Sequence, residues 1–276
     1  VTMYDFSLKE WITLSKTALI TGASMGIGLD LAVLAARDGY DCILVSRNEP
    51  RLHELKKVLE TRYRINVHVF ALDLAKHDAA NQLTSMIEEE GLTVDFLINN
   101  AGFGTSGAFA DLDAETEADE VRLNVNTLTE LTKAYLPSML ERNHGYVLNV
   151  ASVAAFQPGP YMAVYYATKA YVLSLTEALH AEVKGSGVHV SVLCPGPTDT
   201  NFFDRAGSEL SFSKMPSHLV AFFGYKGVMN NKRVIVPGLS NQLLVGLAKL
   251  MPRALSLEVL RRVQKPADVS AAESTT

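Results

Sequence analysis

Short β-branched runs alternate with longer stretches of helical period along almost the whole chain, and few folds accommodate that pattern. The runs are TALI (17–20), CILV (42–45), VHVFAL (67–72), FLIN (96–99), YVLNV (146–150), VHVSVLC (188–194) and RVIV (233–236). Between them lie stretches such as IGLDLAVLAARDG, EPRLHELKKVLETRY, HDAANQLTSMIEEE and AVYYATKAYVLSLTEALHAEV, and a long one from Glu117 to Arg142. Repetition of strand then helix makes successive strands parallel, because each helix carries the chain back across the sheet. The expected architecture is α/β: a Rossmann-type doubly wound parallel sheet, one strand per run, with helices on both faces. A chain of 276 residues, 48% of them apolar, has material for one large core, so a single domain over residues 16–265 is expected. Residues 1–15 read as an N-terminal extension and 266–276, PADVSAAESTT, as a flexible tail.

Composition narrows the function classes. A net charge of -5 gives no basic excess for a nucleic-acid partner. Cys42 and Cys194 each sit inside an apolar run, where a buried reduced thiol is expected, and the seven histidines never recur at ligand spacing, so no metal is expected. No uninterrupted apolar run reaches the ~18 residues of a spanning helix, and VTMYDFSLKEWITLSK lacks the pattern of a signal peptide. These readings point to a soluble, cytoplasmic protein.

In a sheet of this kind ligands lie beyond the carboxyl ends of the strands. The first run leads into TGASMGIG, the second into SRN, the third into DL, the fourth into NAG, the fifth into ASV and the sixth into PGPTDT. Glycines and small polar residues therefore gather along one edge. Gly22, Gly26 and Gly28 permit a tight turn and a close backbone approach to a pyrophosphate, whose charge sits at the positive end of the next helix. Ser24, Met25 and Ile27 complete this cradle.

YMAVYYATK (161–169) offers two adjacent tyrosines. Tyr165 and Lys169 are i and i+4 on one helix face, whereas Tyr166 is rotated by about 100°. A phenol titrates near pH 10, so it needs a neighbouring positive charge to exchange protons at neutral pH, and Lys169 supplies one. Tyr165 can then protonate a carbonyl oxygen or deprotonate an alcohol, while Ser152 hydrogen-bonds the same oxygen as charge develops. Tyr166 is left to packing beside the site or to a subunit contact.

The GxxxGxG spacing, Asn99-Asn100-Ala101-Gly102, Ser152, and YxxxK starting thirteen positions after that serine together resemble the short-chain dehydrogenase/reductase family. The resemblance covers roughly residues 16–200 and continues loosely through VIVPG (234–238). It implies hydride transfer on the pro-S side of nicotinamide C4, to or from a carbonyl/secondary alcohol substrate. It also implies that Asn124 anchors a water in a proton relay, that Lys169 holds the nicotinamide ribose, and that Asn100, Ala101 and Gly102 contact the cofactor. Asp73-Leu74 corresponds to the adenine contact. Pro195-Gly196 and Thr200 correspond to PGxxxT, whose threonine reaches the carboxamide, with Thr198 as the alternative. Dimers and tetramers are usual among similar proteins, so a homo-oligomer is expected.

Ser46-Arg47, with no acid after the second run, favours the 2′-phosphate of NADP(H) over NAD(H), which stays the alternative. Ser24-Met25 stands where many NADP-dependent members carry an additional basic residue. The resemblance makes 201–225, NFFDRAGSELSFSKMPSHLVAFFGY, the substrate lid, and its phenylalanines, with Phe103 and Phe156, suggest an apolar substrate. The same rings would serve equally as core or subunit interface. Residues 226–265 carry eight basic residues against the one acid Glu258, and interleave them with apolar residues. A solvated basic face over an oligomer contact is preferred there to peripheral contact with an anionic membrane, and the segment is expected to cover the substrate mouth. Two competitors keep the fold: nucleotide-sugar epimerases, which show GxxGxxG and a longer substrate domain, and a catalytically silent NADP-binding sensor or scaffold, which commonly lacks the tyrosine or lysine.

Overall fold

The first strands are apolar at nearly every position rather than every second one, which suits strands covered on both faces. The computed structural model describes residues 16–200, 202 and 214–264. The chain runs β1 (Thr17–Thr21), α1 (Gly26–Arg37), β2 (Asp41–Ser46), α2 (Glu49–Tyr63), β3 (Val67–Ala71), α3 (Ala79–Glu89) and β4 (Phe96–Asn99). There follow α4 (Ala114–Val121), a π-helical turn (Arg122–Thr127), α5 (Leu128–Glu141), β5 (Gly145–Val150), α6 (Ala163–Glu182) and β6 (Val188–Leu193). Two short strands, β7 (Thr198–Asp199) and β8 (Met215–Pro216), pair with each other before α7 (Ser217–Met229), β9 (Val234–Ile235), α8 (Leu239–Leu250) and α9 (Arg253–Val263).

Seven strands form one parallel sheet in the order β3-β2-β1-β4-β5-β6-β9. Each run of the sequence has become a strand of it, as expected. Alternate side chains point to opposite faces. Ala18, Ile20, Cys42, Leu44, Phe96 and Ile98 pack under α1, α2 and α7, while Leu19, Ile43, Val45, Leu97 and Val147 pack under α3 and α5. Each fully buried leucine or isoleucine contributes about 1.5–3 kcal/mol, and both helical layers are anchored this way. Cys42 and Cys194 are buried free thiols. Among the described residues no helix is long and apolar enough to cross a membrane, and no His, Cys, Asp or Glu cluster could hold a metal. The extension at 1–15 and the tail at 266–276 lie outside the described residues.

The order reverses between β1 and β4, where the chain, having built outwards to β3, returns to the centre and builds the other way. A buried polar chain crosses the sheet beside this point. Asn99 Nδ2 donates to Asn149 Oδ1 at 2.9 Å and to Thr132 Oγ1 at 3.0 Å, and Asn149 Nδ2 donates to Thr176 Oγ1 at 3.0 Å. Asn99 and Asn149 stand opposite each other in the β4–β5 register and point to the same face, so the chain ties α5 to α6 along that face of the sheet. Asn149→Ala removes two buried hydrogen bonds, although Asn99 keeps Thr132 and Thr176 keeps the Val172 carbonyl, and is expected to cost about 1–3 kcal/mol, read as a lower urea midpoint with an unchanged denaturant slope.

Candidate active site

Beyond the carboxyl ends of the strands lies a cavity of 1240 Å³. At one end the β1–α1 turn needs two left-handed glycines, Gly22 at φ +67 and Gly26 at φ +55. The turn is sewn to the end of β4. Thr21 Oγ1 accepts the N–H groups of Asn100 and Ala101, both at 3.0 Å, and Asn100 Nδ2 donates to the carbonyls of Thr21 at 3.0 Å and Gly22 at 3.3 Å. A Cβ on Gly22 would lie 3.0 Å from Ala101 Cα. Gly22, Ser24, Met25, Gly26 and Ile27 all face the cavity. Gly28 does not; it is packed against the Gly22 carbonyl and the Asn100 amide, and its role is to let strand and helix close together. Met25 precedes α1 without any side-chain cap, which leaves the first N–H groups of the helix to an anion.

Ser46, Arg47, Asp73 and Leu74 line the same end. Arg47 is two-thirds exposed and reaches Asp73 only at 3.9 Å, a weak pair that leaves the guanidinium available. Ala101 and Gly102 form the middle of the wall, and Pro195, Gly196, Thr198 and Thr200 close it from the β6 side.

Tyr165 and Lys169 project from α6 into the centre, one turn apart and both buried. Lys169 Nζ donates to the Val150 carbonyl at 3.0 Å and lies 5.7 Å from the centre of the Tyr165 ring. Ser152 opens a 3₁₀ turn (Val153–Phe156), accepting the Ala154 N–H at 3.1 Å, and faces the cavity beside Tyr165. Burial pushes the Tyr165 phenol well above its ordinary value, and its hydrogen bond with Ser152 opposes this. Burial also pushes Lys169 down to about 8, with the negative charge of Glu120 opposing.

Asn124 is buried in the π-helical turn behind this pair rather than on the cavity wall. Its Nδ2 donates to the Phe103 carbonyl at 2.8 Å and to Thr168 Oγ1 at 3.1 Å, and its Oδ1 accepts the Phe103 N–H at 3.2 Å. It therefore fixes the loop after β4 against α6. Gly102 is confined there: a Cβ would meet Asn124 Oδ1 at 2.9 Å and Lys169 Nζ at 3.3 Å. π-Helical turns are rare and cluster at functional sites, and this one is invisible in the apolar periodicity of 117–142.

The substrate side is apolar. Phe202 lies 5.1 Å from the Tyr165 ring, and Met162, Leu244, Leu260 and Val263 complete the wall. Tyr166 also faces the cavity, its hydroxyl in contact with Gln264 Nε2 at the end of α9. Residues of both α8 and α9 thus line the cavity. Of the range 201–225 expected as a lid, only residues 202 and 214–225 are described, and Phe202 is the one of these on the cavity wall. Lys214 to Tyr225 do not reach the cavity, because α7 packs Val220, Ala221 and Tyr225 against α1 and turns Phe222 and Phe223 outwards. Residues 201 and 203–213 lie outside the described residues. Phe103 lines the cavity, while Phe156 stands outside it under Lys249. Two buried acids, Glu117 and Glu120, were not anticipated; they sit on α4 behind the Gly102–Thr105 loop, and burial raises Glu120 to about 7.

Residues 16–210 match the short chain dehydrogenase family. An uncharacterized oxidoreductase of Staphylococcus saprophyticus is 32% identical over 185 residues, 67% of this chain and 79% of that protein. Among solved structures, a short-chain dehydrogenase from Sphingobium yanoikuyae in complex with NADPH superposes with a TM-score of 0.76 at 31% identity, over 87% of this chain and 97% of that one. The bulky-bulky ketone specific alcohol dehydrogenase from Comamonas testosteroni gives 0.73 at 30% identity, over 87% and 96%.

Replacement of Gly22 by alanine forces a Cβ onto Ala101 and a side chain into the left-handed region. An expected loss of about 1–3 kcal/mol in unfolding free energy, with weakened dinucleotide binding by fluorescence titration, checks the cradle.

Proposed function

The chain belongs to the short-chain dehydrogenase/reductase family of oxidoreductases, and we propose that it is an NADP(H)-preferring carbonyl reductase acting reversibly on an apolar ketone or aldehyde and its alcohol. The observation that carries this reading is the placement of Tyr165 and Lys169, buried side by side on α6, across one cavity from the uncapped N-terminus of α1.

The residues present suit a nicotinamide dinucleotide. Gly22 to Ile27 and the α1 N-terminus would hold its pyrophosphate, Asp73 and Leu74 its adenine, Lys169 its nicotinamide ribose, and Thr200 or Thr198 its carboxamide. When bound, it supplies or accepts the hydride. Arg47 favours the 2′-phosphate, since it is exposed, weakly paired and unopposed by an acid at the end of β2. The solved relative holding NADPH supports the same choice.

The chemistry of the chain itself is proton management. Ser152 hydrogen-bonds the substrate oxygen and places it against the Tyr165 hydroxyl. Tyr165 gives its proton to that oxygen as negative charge develops, and Lys169 stabilises the phenolate left behind. Water is kept from the reacting atoms by Phe202, Met162 and the α8–α9 leucines. Among the described residues the cavity carries only two basic side chains, Arg47 and Lys169, both placed for the cofactor. Among the described residues the substrate side of the cavity, formed by Phe202, Met162, Leu244, Leu260 and Val263, is apolar, and this supports an uncharged, bulky carbonyl compound.

Consumption of NADPH with a panel of ketones and aldehydes, followed by absorbance, tests the assignment. Tyr165→Phe is expected to lower kcat by roughly 10²–10⁴-fold with NADPH binding retained; a variant as active as the wild type would exclude Tyr165 as the acid. Arg47→Glu is expected to raise the KM for NADPH by about tenfold or more while NADH changes little. Equal effects on both cofactors would remove the 2′-phosphate role.

A further inference from the structure

Glu117 and Glu120 lie one turn apart on the inner face of α4, both buried and Glu120 wholly so. They meet at Thr105. The Thr105 N–H and hydroxyl each lie 3.1 Å from Glu120 Oε2, and the same hydroxyl contacts Glu117 Oε1. The second oxygen of each carboxyl, Glu117 Oε2 and Glu120 Oε1, has no hydrogen-bond partner. A hydroxyl has one hydrogen to donate, so Thr105 cannot satisfy both carboxyls, and burial together with the neighbouring Glu117 holds Glu120 back from ionising.

The loop that Thr105 ends is also the wall of the reaction site. Gly102 abuts Asn124 and Lys169, and a Cβ on Gly104 would lie 2.7 Å from the Tyr165 ring. We propose that Glu120 is a positioning residue for the Tyr165–Lys169 pair: fixed on Thr105 and crowded there by Glu117, it sets the negative charge against which Lys169 and Tyr165 hold their own protons. This rests on the reductase reading.

The groups facing Glu120 are few. From α4 there is Glu117, and from α6 there are Lys169 and Tyr165. Arg122, on the next turn, is held by Asp119 and by the Ala75 carbonyl at 3.0 Å, away from the pair. Beyond Lys169 stands the buried Cys194 thiol, which burial keeps protonated. Glu120 is thus the carboxylate that acts on both members of the pair.

The sign of the pH dependence follows. The Glu120 carboxyl is raised from 4.5 to about 7, so its protonated form favours the folded state below pH 4.5 and that advantage disappears as pH rises towards 7. Lys169 is lowered from 10.5 to about 8, so its burial costs stability below pH 8 and the cost fades only above that. The two effects occupy different pH windows.

Melting temperature between about pH 5 and 8, measured without cofactor or substrate, separates the wild type from Glu120→Gln and Glu117→Gln. The wild type should lose stability relative to Glu120→Gln across this range, and Glu117→Gln should shift the loss to lower pH. Curves for all three that run parallel overturn the proposal, whether or not the protein is active. In the pH profile of kcat/KM for NADPH-dependent reduction, Glu120→Gln should move the basic limb down by on the order of one pH unit, with Glu120→Asp restoring it towards wild type. A basic limb that stays in place also overturns it. If Glu120→Gln does not fold, Glu117→Gln alone decides, a melting curve parallel to wild type counting against the proposal. Expected melting curves in a wild type that consumes no NADPH would support the carboxyl coupling and count against the reductase reading.

Discussion

The hydroxyl of Thr21, at the end of β1, holds two strands where the sheet requires them to part. It accepts the N–H groups of Asn100 and Ala101 and donates to the Ile98 carbonyl at 3.3 Å, joining the β1 and β4 ends at the point where strand order reverses. On one side of that junction the chain turns through Gly22 into the cradle before α1; on the other it enters the Gly102–Thr105 loop that backs Lys169 and Tyr165. Both halves of the cavity are therefore referenced to one hydrogen-bonded point. A dinucleotide that spans the crevice would have its phosphate end and its reacting end placed by the same small group of bonds.

Burial gives this arrangement its chemical tension. Tyr165 and Lys169 are both nearly out of contact with water, so the phenol holds its proton more tightly and the ammonium more loosely than either would at the surface. A neutral phenol is the form wanted for protonating a carbonyl oxygen, and a charged lysine is the form wanted for stabilising what remains. The negative charge of Glu120 raises both, so it helps keep Lys169 charged while adding to the hold on the Tyr165 proton. The Val150 carbonyl, a dipole rather than a charge, keeps Lys169 in place without neutralising it.

Much of this was legible in the residues. The seven strands could be read because their β-branched runs are short and bounded by turn residues, and the helical repeat put Tyr165 and Lys169 on one face of a helix, where the structure has them. What the sequence concealed were features that arise only when distant segments meet. The π-helical turn at Arg122–Thr127 interrupts a stretch whose apolar spacing reads as one unbroken helix, and it moves Asn124 behind the loop rather than onto the wall. Glu117 and Glu120 look like the solvated face of a charged helix until Thr105, fifteen positions before Glu120, is folded against them. Gly28 carries the phosphate-cradle spacing but serves strand–helix packing, a distinction that depends on where Asn100 lies. Phe222 and Phe223 share the composition of a lid, yet the helix they ride on is committed to α1.

The most direct test of the account is isotope transfer. NADPH deuterated at the pro-S position of C4 is incubated with the protein and a bulky apolar ketone, and the alcohol is analysed by mass spectrometry and NMR. The account predicts one deuterium on the carbinol carbon. Alcohol formed without deuterium would contradict the proposed hydride transfer, and label arriving only from the pro-R isotopomer would contradict the side that the family resemblance implies.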